Sequence, residues 1–214
     1  YVGFFRAFCA IPKFISFLFS LSILGCAMYF AGLAGLLAPA AYGLFGLGFA
    51  LLLIVLVTRR MHIAFRRPNL SFLNFMFIVW FAVIVVSLSG YRLIDYDNFS
   101  HWALVVKQMA ITNAIPDANS VLIDFKNYPL GTASFLYYVS RIVGHSDGAL
   151  LIGQAMLIFA CFYSFFGVVR DEKRFLLVTI IGLCAAIMSF FNVSIRINNL
   201  LVDYLLPLFA LGAI

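Results

Sequence analysis

Apolar runs close to the ~20 residues that a helix needs to cross a bilayer recur along almost the whole of this chain. No soluble core can absorb that many. Of 214 residues 65% are hydrophobic and 10% charged, against roughly a quarter charged in globular domains. The pattern predicts an all-α fold, a polytopic helical membrane protein. Spans are expected at roughly 14–36, 40–58, 69–89, 148–169, 174–192 and from 200 onward, about six transmembrane helices. Three regions follow: N-terminal transmembrane helices over 1–89, an external loop over 90–147, and further transmembrane helices over 148–214. The chain opens at Tyr1 without a methionine and stops at Ile214 inside an apolar run, so it reads as a truncated piece of a longer protein.

The first two spans read as a tight hairpin broken near Pro39. Gly32, Gly35, Gly43, Gly46 and Gly48 along it suit close helix packing. Cys9, Cys26, Cys161 and Cys184 show no CxxC spacing, so neither a disulfide framework nor a zinc site is indicated, and buried structural thiols are expected. The net charge of +6 belongs to topology and not to nucleic acid, since no polar surface interleaves basic and aromatic residues.

Basic residues set the orientation. Arg59, Arg60, Arg66 and Arg67 follow the second span, and Arg170, Lys173 and Arg174 follow the fourth. Both loops should be cytoplasmic, and Arg6 and Lys13 put the N-terminus on the same side. The apolar stretch 130–144 is about 15 residues, too short for a span. Counting it as one would also turn Arg170–Arg174 outward. Residues 90–147 therefore form one external loop with two interfacial helices. The first covers 98–113, with Phe99, Trp102, Val106 and Met109 on its apolar face and His101, Lys107, Gln108 and Thr112 opposite. The second covers 130–144, started near Pro129 and stopped at Gly144. An irregular connector, 116–128, joins them.

The candidate chemistry begins at the head of that loop, in DYDNFSHW. Asp95 and Asp97 are explained as well by capping a helix N-terminus as by catalysis. Their place at the membrane edge favours function, because ionisable groups near membrane depth are costly and usually line a substrate path. His101 is one turn from Asp97. Lys126 either snorkels or holds a phosphate, and Lys107 reads as the wet face of a helix. Farther on, VSIRINN offers Arg196, whose forked donors suit a phosphate, with Asn198 and Asn199 beside it. Asp203 lies about a turn into the last span, where an acid needs a polar cavity. There is no GxSxG nucleophile and no metalloprotease pattern.

An acid after an early span, an amphipathic helix, a basic-x-x-Pro-Leu stretch and a second interfacial helix, in that order, resemble the GT-C superfamily of membrane glycosyltransferases. Protein O-mannosyltransferases and the lipid A aminoarabinose transferase belong to it. The likeness runs over roughly 70–214. The family's Asp-Glu pair reads here as Asp97-Asn98, its ring position as His101, its basic–Pro–Pro–Leu stretch as Lys126-Asn127-Tyr128-Pro129-Leu130, and its later acid as Asp203. Asn98 in place of an acid and a single proline are departures. The DNFSHW and YPLG pattern is also similar to that of a group of Gram-positive multispan proteins, which implies a bacterial cell membrane with the active loop outside.

The resemblance implies transfer of a sugar from a polyprenyl-phosphate donor to an acceptor on the outer face, within the cell envelope. Asp97 is then the general base and Asp95 its support. His101, Lys126, Asn127, Arg196, Asn199 and Asp203 bind substrate, with Lys126 and Arg196 neutralising the departing phosphate. No cofactor is required; a divalent cation at Asp95 is compatible with the scheme. Partners are the lipid-linked sugar and membrane lipid, with no nucleic acid. The rivals are a transporter or lipid flippase, whose sites usually lie at the bilayer midplane, and a non-catalytic assembly subunit.

Overall fold

The computed structural model describes residues 1–58, 72–124, 128–169, 174–190, 197–200 and 202–213. Its regular structure is helical, with no strand among the described residues. That is the form lipid demands, since a helix satisfies its backbone polar groups internally. In chain order the α-helices are α1 (Val2–Phe8), α2 (Lys13–Leu33), α3 (Leu37–Val57), α4 (Phe72–Ser89), α5 (Ala103–Thr112), α6 (Gly131–Val143), α7 (Asp147–Phe165), α8 (Phe175–Phe190) and α9 (Val202–Gly212). A π-helical turn, Asn98–Trp102, leads into α5, and a 3-10 turn, Phe166–Val168, extends α7.

Four of these are long and apolar enough to cross a membrane: α2, α3, α4, and α7 with its 3-10 extension. Where fifth and sixth spans were expected, α8 has 16 residues and α9 has 11. At about 1.5 Å per residue they reach roughly 24 and 16 Å, short of a ~30 Å hydrocarbon core. Among the described residues, then, four helices have the length and composition of a span, and the expected count of six is not confirmed. The basic loops that set the orientation lie outside the described residues, except for exposed Arg174.

The α2–α3 hairpin turns at Gly35 and not at Pro39. Gly35 adopts φ +71°, and the Gly35 and Leu36 N–H groups donate to Gly32 and Ala31 at 3.0 and 2.8 Å. This is the Schellman closure, which a glycine in left-handed geometry makes at little strain. Pro39 falls in the first turn of α3, where its missing N–H costs nothing. Close packing holds at only part of the glycine series. A Cβ on Gly32 would lie 2.5 Å from Ile115, and one on Gly48 would lie 3.2 Å from Tyr1, whereas Gly43 and Gly46 face open space. The thiols divide similarly: Cys161 is buried, but Cys9, Cys26 and Cys184 are exposed on the described surface.

α7 is the centre of the molecule, with α2, α4, α6 and α9 packed around it. Aromatic side chains fill the seam between α4 and α7. Trp80 lies 4.4 Å from Phe159 and stacks on Phe162, and Phe77 meets Phe159, Tyr163 and Phe166 edge-on. The Tyr163 hydroxyl donates to Asn74 Oδ1 at 3.1 Å, whereas Trp80 Nε1 is buried without a hydrogen-bond partner among the described residues. Toward the end of α4 the two backbones nearly touch. A Cβ on Gly148 would stand 2.5 Å from the Ser89 carbonyl oxygen and 2.9 Å from that of Leu88.

The second loop helix ends as expected, at Gly144 with φ +98°. α6 is built into the bundle against α2, α3, α5 and α7, and Ala133, Ser134, Phe135, Leu136, Tyr137 and Ser140 are buried. The Tyr137 hydroxyl donates to Asn113 Oδ1 at 2.8 Å, tying α6 to the left-handed end of α5.

Candidate functional site

The DYDNFSHW turn is held from below before it becomes helical. Asp147, in the first turn of α7, accepts from the Leu93 N–H at 3.2 Å. Ser146 caps α7 by accepting from the Ala149 N–H at 3.2 Å. The Tyr91 hydroxyl accepts from Asn198 Nδ2 at 2.6 Å. From Asn98 the chain enters the π-helical turn. A π-turn closes its hydrogen bonds one residue later than an α-turn, which rotates the side chains at the turn relative to those of the α-helix that follows. The expected apolar face is therefore rotated: Asn98 and His101 are buried, at 0% and 4% exposure, while Phe99 is 56% exposed. Val106 and Met109 stay inside as expected, and Lys107 and Thr112 stay outside.

Asp97 has helical backbone angles and makes no capping hydrogen bond. Its side chain is exposed, that of Asp95 is half-buried, and neither carboxylate has a hydrogen-bond or ion-pair partner among the described residues. Capping is thus not what Asp97 does here. His101 sits one turn on, with its ring edge-on to Tyr128 at 5.1 Å and to Trp102 at 4.7 Å. Burial pushes the His101 pKa below its ordinary 6.5, and the nearby Asp124 charge opposes that only in part. The imidazole is neutral at pH 7.

Tyr128 joins this turn to the rest of the loop. It stacks on Trp102 at 5.8 Å, and the residues that follow it, Pro129, Leu130 and Gly131, form one wall of an apolar groove. The groove has a volume of about 530 Å³ and runs between α2, α7 and α9, past Leu21, Cys26, Tyr29, Leu157 and Phe209.

A third segment reaches the same end of the bundle. Asn98 Oδ1 accepts from the Leu200 N–H at 2.9 Å, and Gln154 Nε2 donates to the Asn199 carbonyl at 2.8 Å. Asn199 itself is 4% exposed. Asp203 proves to be in the first turn of α9, exposed at the positive end of the helix dipole. The structure thus brings together the segments carrying Asp95, Asp97, His101 and Asn199, with Asp203 four residues farther along. Lys126, Asn127 and Arg196 lie outside the described residues. Among the described residues no three His, Cys, Asp or Glu side chains gather to hold a metal ion.

Two residues at this junction stand outside the motifs above, Tyr91 and Gln154, and Tyr128 stands there only as part of the Lys126–Leu130 stretch. Gln154 had a signal. It is the lone amide inside the apolar run 148–169, and the cost argument applied to Asp203 applies equally to it.

No protein-family model matches this chain, and no curated protein or solved structure is significantly similar to it.

Proposed function

We propose that this protein is a membrane glycosyltransferase that moves a sugar from a polyprenyl-phosphate donor to an acceptor hydroxyl at the outer face of a cell membrane. The observation that supports it most is that one short stretch, Tyr128–Gly131, borders both the turn carrying Asp97 and the apolar groove. A lipid-linked sugar needs just that adjacency: an oily trough for the tail and a carboxylate near its polar end. Volumes of several hundred Å³ are typical of binding clefts.

In this reading the free carboxylate of Asp97 takes the proton of the acceptor hydroxyl as its oxygen attacks the anomeric carbon. The bond from that carbon to the phosphate oxygen breaks, and polyprenyl phosphate leaves. A general base must come within hydrogen-bond reach of the proton it removes, which an exposed, uncapped side chain is free to do. Asp95 orients the acceptor. Neutral His101 and Tyr128 form an aromatic wall against the sugar. Lys126 and Arg196 neutralise charge on the departing phosphate.

The test is transfer from a radiolabelled polyprenyl-phosphate sugar in membranes carrying the parent or Asp97→Asn. Removing a general base costs typically 10²–10⁴-fold in rate, and a fall of about that size is expected. Equal rates would remove Asp97 as the base. Absence of transfer with every lipid-linked donor, together with substrate-dependent flux in vesicles, would replace the enzyme by a transporter.

A further inference from the structure

Two buried amide side chains grip a single peptide unit from opposite sides. Asn98, on the π-helical turn, accepts from the Leu200 N–H, and Gln154, in the middle of α7, donates to the Asn199 carbonyl. These are the N–H and C=O of the one peptide unit joining Asn199 to Leu200, and in a trans peptide they point in opposite directions. Asn98 and Gln154 are 0% and 1% exposed, so both bonds are shielded from competing solvent. The held peptide lies two residues before α9 begins at Val202, and three before Asp203.

The grip has a visible cost. Asn98 Nδ2 and Gln154 Oε1 are buried without a hydrogen-bond partner among the described residues. A buried polar atom without a partner opposes folding, and an apolar side chain of similar size would carry no such cost. Each amide is therefore useful here for its one bond to the 199–200 peptide. The inward turn of Asn98 also accounts for the neutral residue beside Asp97. A carboxyl group at position 98 would be buried there, and it can replace the amide only if it stays protonated, because burying its charge is more costly still.

We propose that Asn98 and Gln154 are positioning residues, which lock the segment leading into α9 to the turn that carries Asp97. The acid and the 197–203 segment then hold one fixed relative placement. The geometry stands by itself; its consequence for catalysis rests on the transferase reading above.

The test has two arms, both on the full protein in nanodiscs: Asn98→Leu, Gln154→Leu and Asn98→Asp are compared with the parent. In the first arm, hydrogen exchange is followed over the peptide covering 197–205. Both leucine variants should exchange about tenfold faster there, the equivalent of about one net hydrogen bond. Asn98→Asp keeps an acceptor for the Leu200 N–H and should restore protection. In the second arm, the leucine variants should lose kcat by up to about 10²-fold, the scale of a small misplacement, with KM unchanged, and Asn98→Asp should recover most of it. Unchanged exchange in the leucine variants overturns the grip. Equal kcat for Asn98→Leu and Asn98→Asp overturns the positioning role. Should the leucine variants fail to fold, Asn98→Ala and Gln154→Ala take their place: faster exchange over 197–205 supports the grip, and parent-like exchange overturns it. A parent without transfer activity defeats the transferase reading and the catalytic consequence with it, while the exchange arm still decides the geometry.

Discussion

α3 and α7 are both apolar helices of spanning length, yet they live in different solvents. In α7, 72% of the spanning window is buried inside the protein; in α3 only 11% is, although α3 is the more hydropathic of the two. Hydropathy alone would rank them the wrong way round. In a bilayer that is the physical expectation, because lipid tails are as apolar as leucine and burial against protein brings no hydrophobic gain. What draws a helix inside is close packing and satisfied polar contacts. α7 carries the means for both in Gly148, Gly153, Gln154, Ala155, Ala160 and Ser164, all buried. α3 presents Phe45, Phe49, Leu53 and Val57 outward.

The strongest way to break this contrast is Gly148→Ala. The new methyl would meet two backbone carbonyl oxygens at 2.5 and 2.9 Å, and backbone cannot rotate away as a side chain can. Overpacking typically costs 1–3 kcal/mol, and about 3 kcal/mol is expected here, read as a loss in reversible unfolding in detergent. A loss below about 0.5 kcal/mol, the range of ordinary surface changes, would mean that α4 and α7 part easily and that α7 is less central than its burial implies.

A second, smaller effect separates the two sides by pH. α3 has no titratable side chain but Tyr42, whereas the turn beside the foot of α7 buries His101. The His101 pKa is lowered from 6.5 by burial, so the unfolded chain takes up the proton at a higher pH than the folded one does. By linkage, the stability from keeping the ring neutral is fully present above about pH 6.5 and is lost as pH falls through the depressed folded value. Unfolding midpoints at pH 7.5 and 5.5 should therefore differ for the parent and converge for His101→Phe. If the variant keeps the full pH dependence, the switch belongs to another group.

Much of this was legible in the sequence because it depends on local pattern. The apolar runs gave α2, α3, α4 and α7, the stretch 98–113 gave a helix, and Gly144 gave a stop. What was not legible depends on partners distant in the chain. The π-turn at Asn98–Trp102 inverts the expected roles of Phe99 and His101, and it sits where Asn98 reaches across to Leu200. A periodicity of about 3.6 residues per turn holds only along an unbroken α-helix, and one displaced hydrogen-bond step defeats it. The stretch 130–144 was correctly seen as too short to span, but its place among α2, α3, α5 and α7 could not come from its own length. Asp97 emerges more free than expected, and Asn199 less so, since its carbonyl is committed to Gln154.

The smallest expected effect is the most informative about α3. Gly46 has nothing within 4 Å of an added Cβ among the described residues, so the alanine methyl of Gly46→Ala is expected to meet lipid and not protein. Glycine is about 1 kcal/mol worse than alanine inside a helix. The substitution should therefore leave the unfolding free energy unchanged or raise it by up to about that amount, measured under the same conditions as Gly148→Ala. The two substitutions add the same methyl to two spanning helices, so the difference between them isolates what surrounds each helix. If Gly46→Ala instead costs more than about 1 kcal/mol, an overpacking-sized loss, then another surface covers that face of α3. The open glycines at 43 and 46 would then be the closest approach of a neighbour and not a lipid-facing seam.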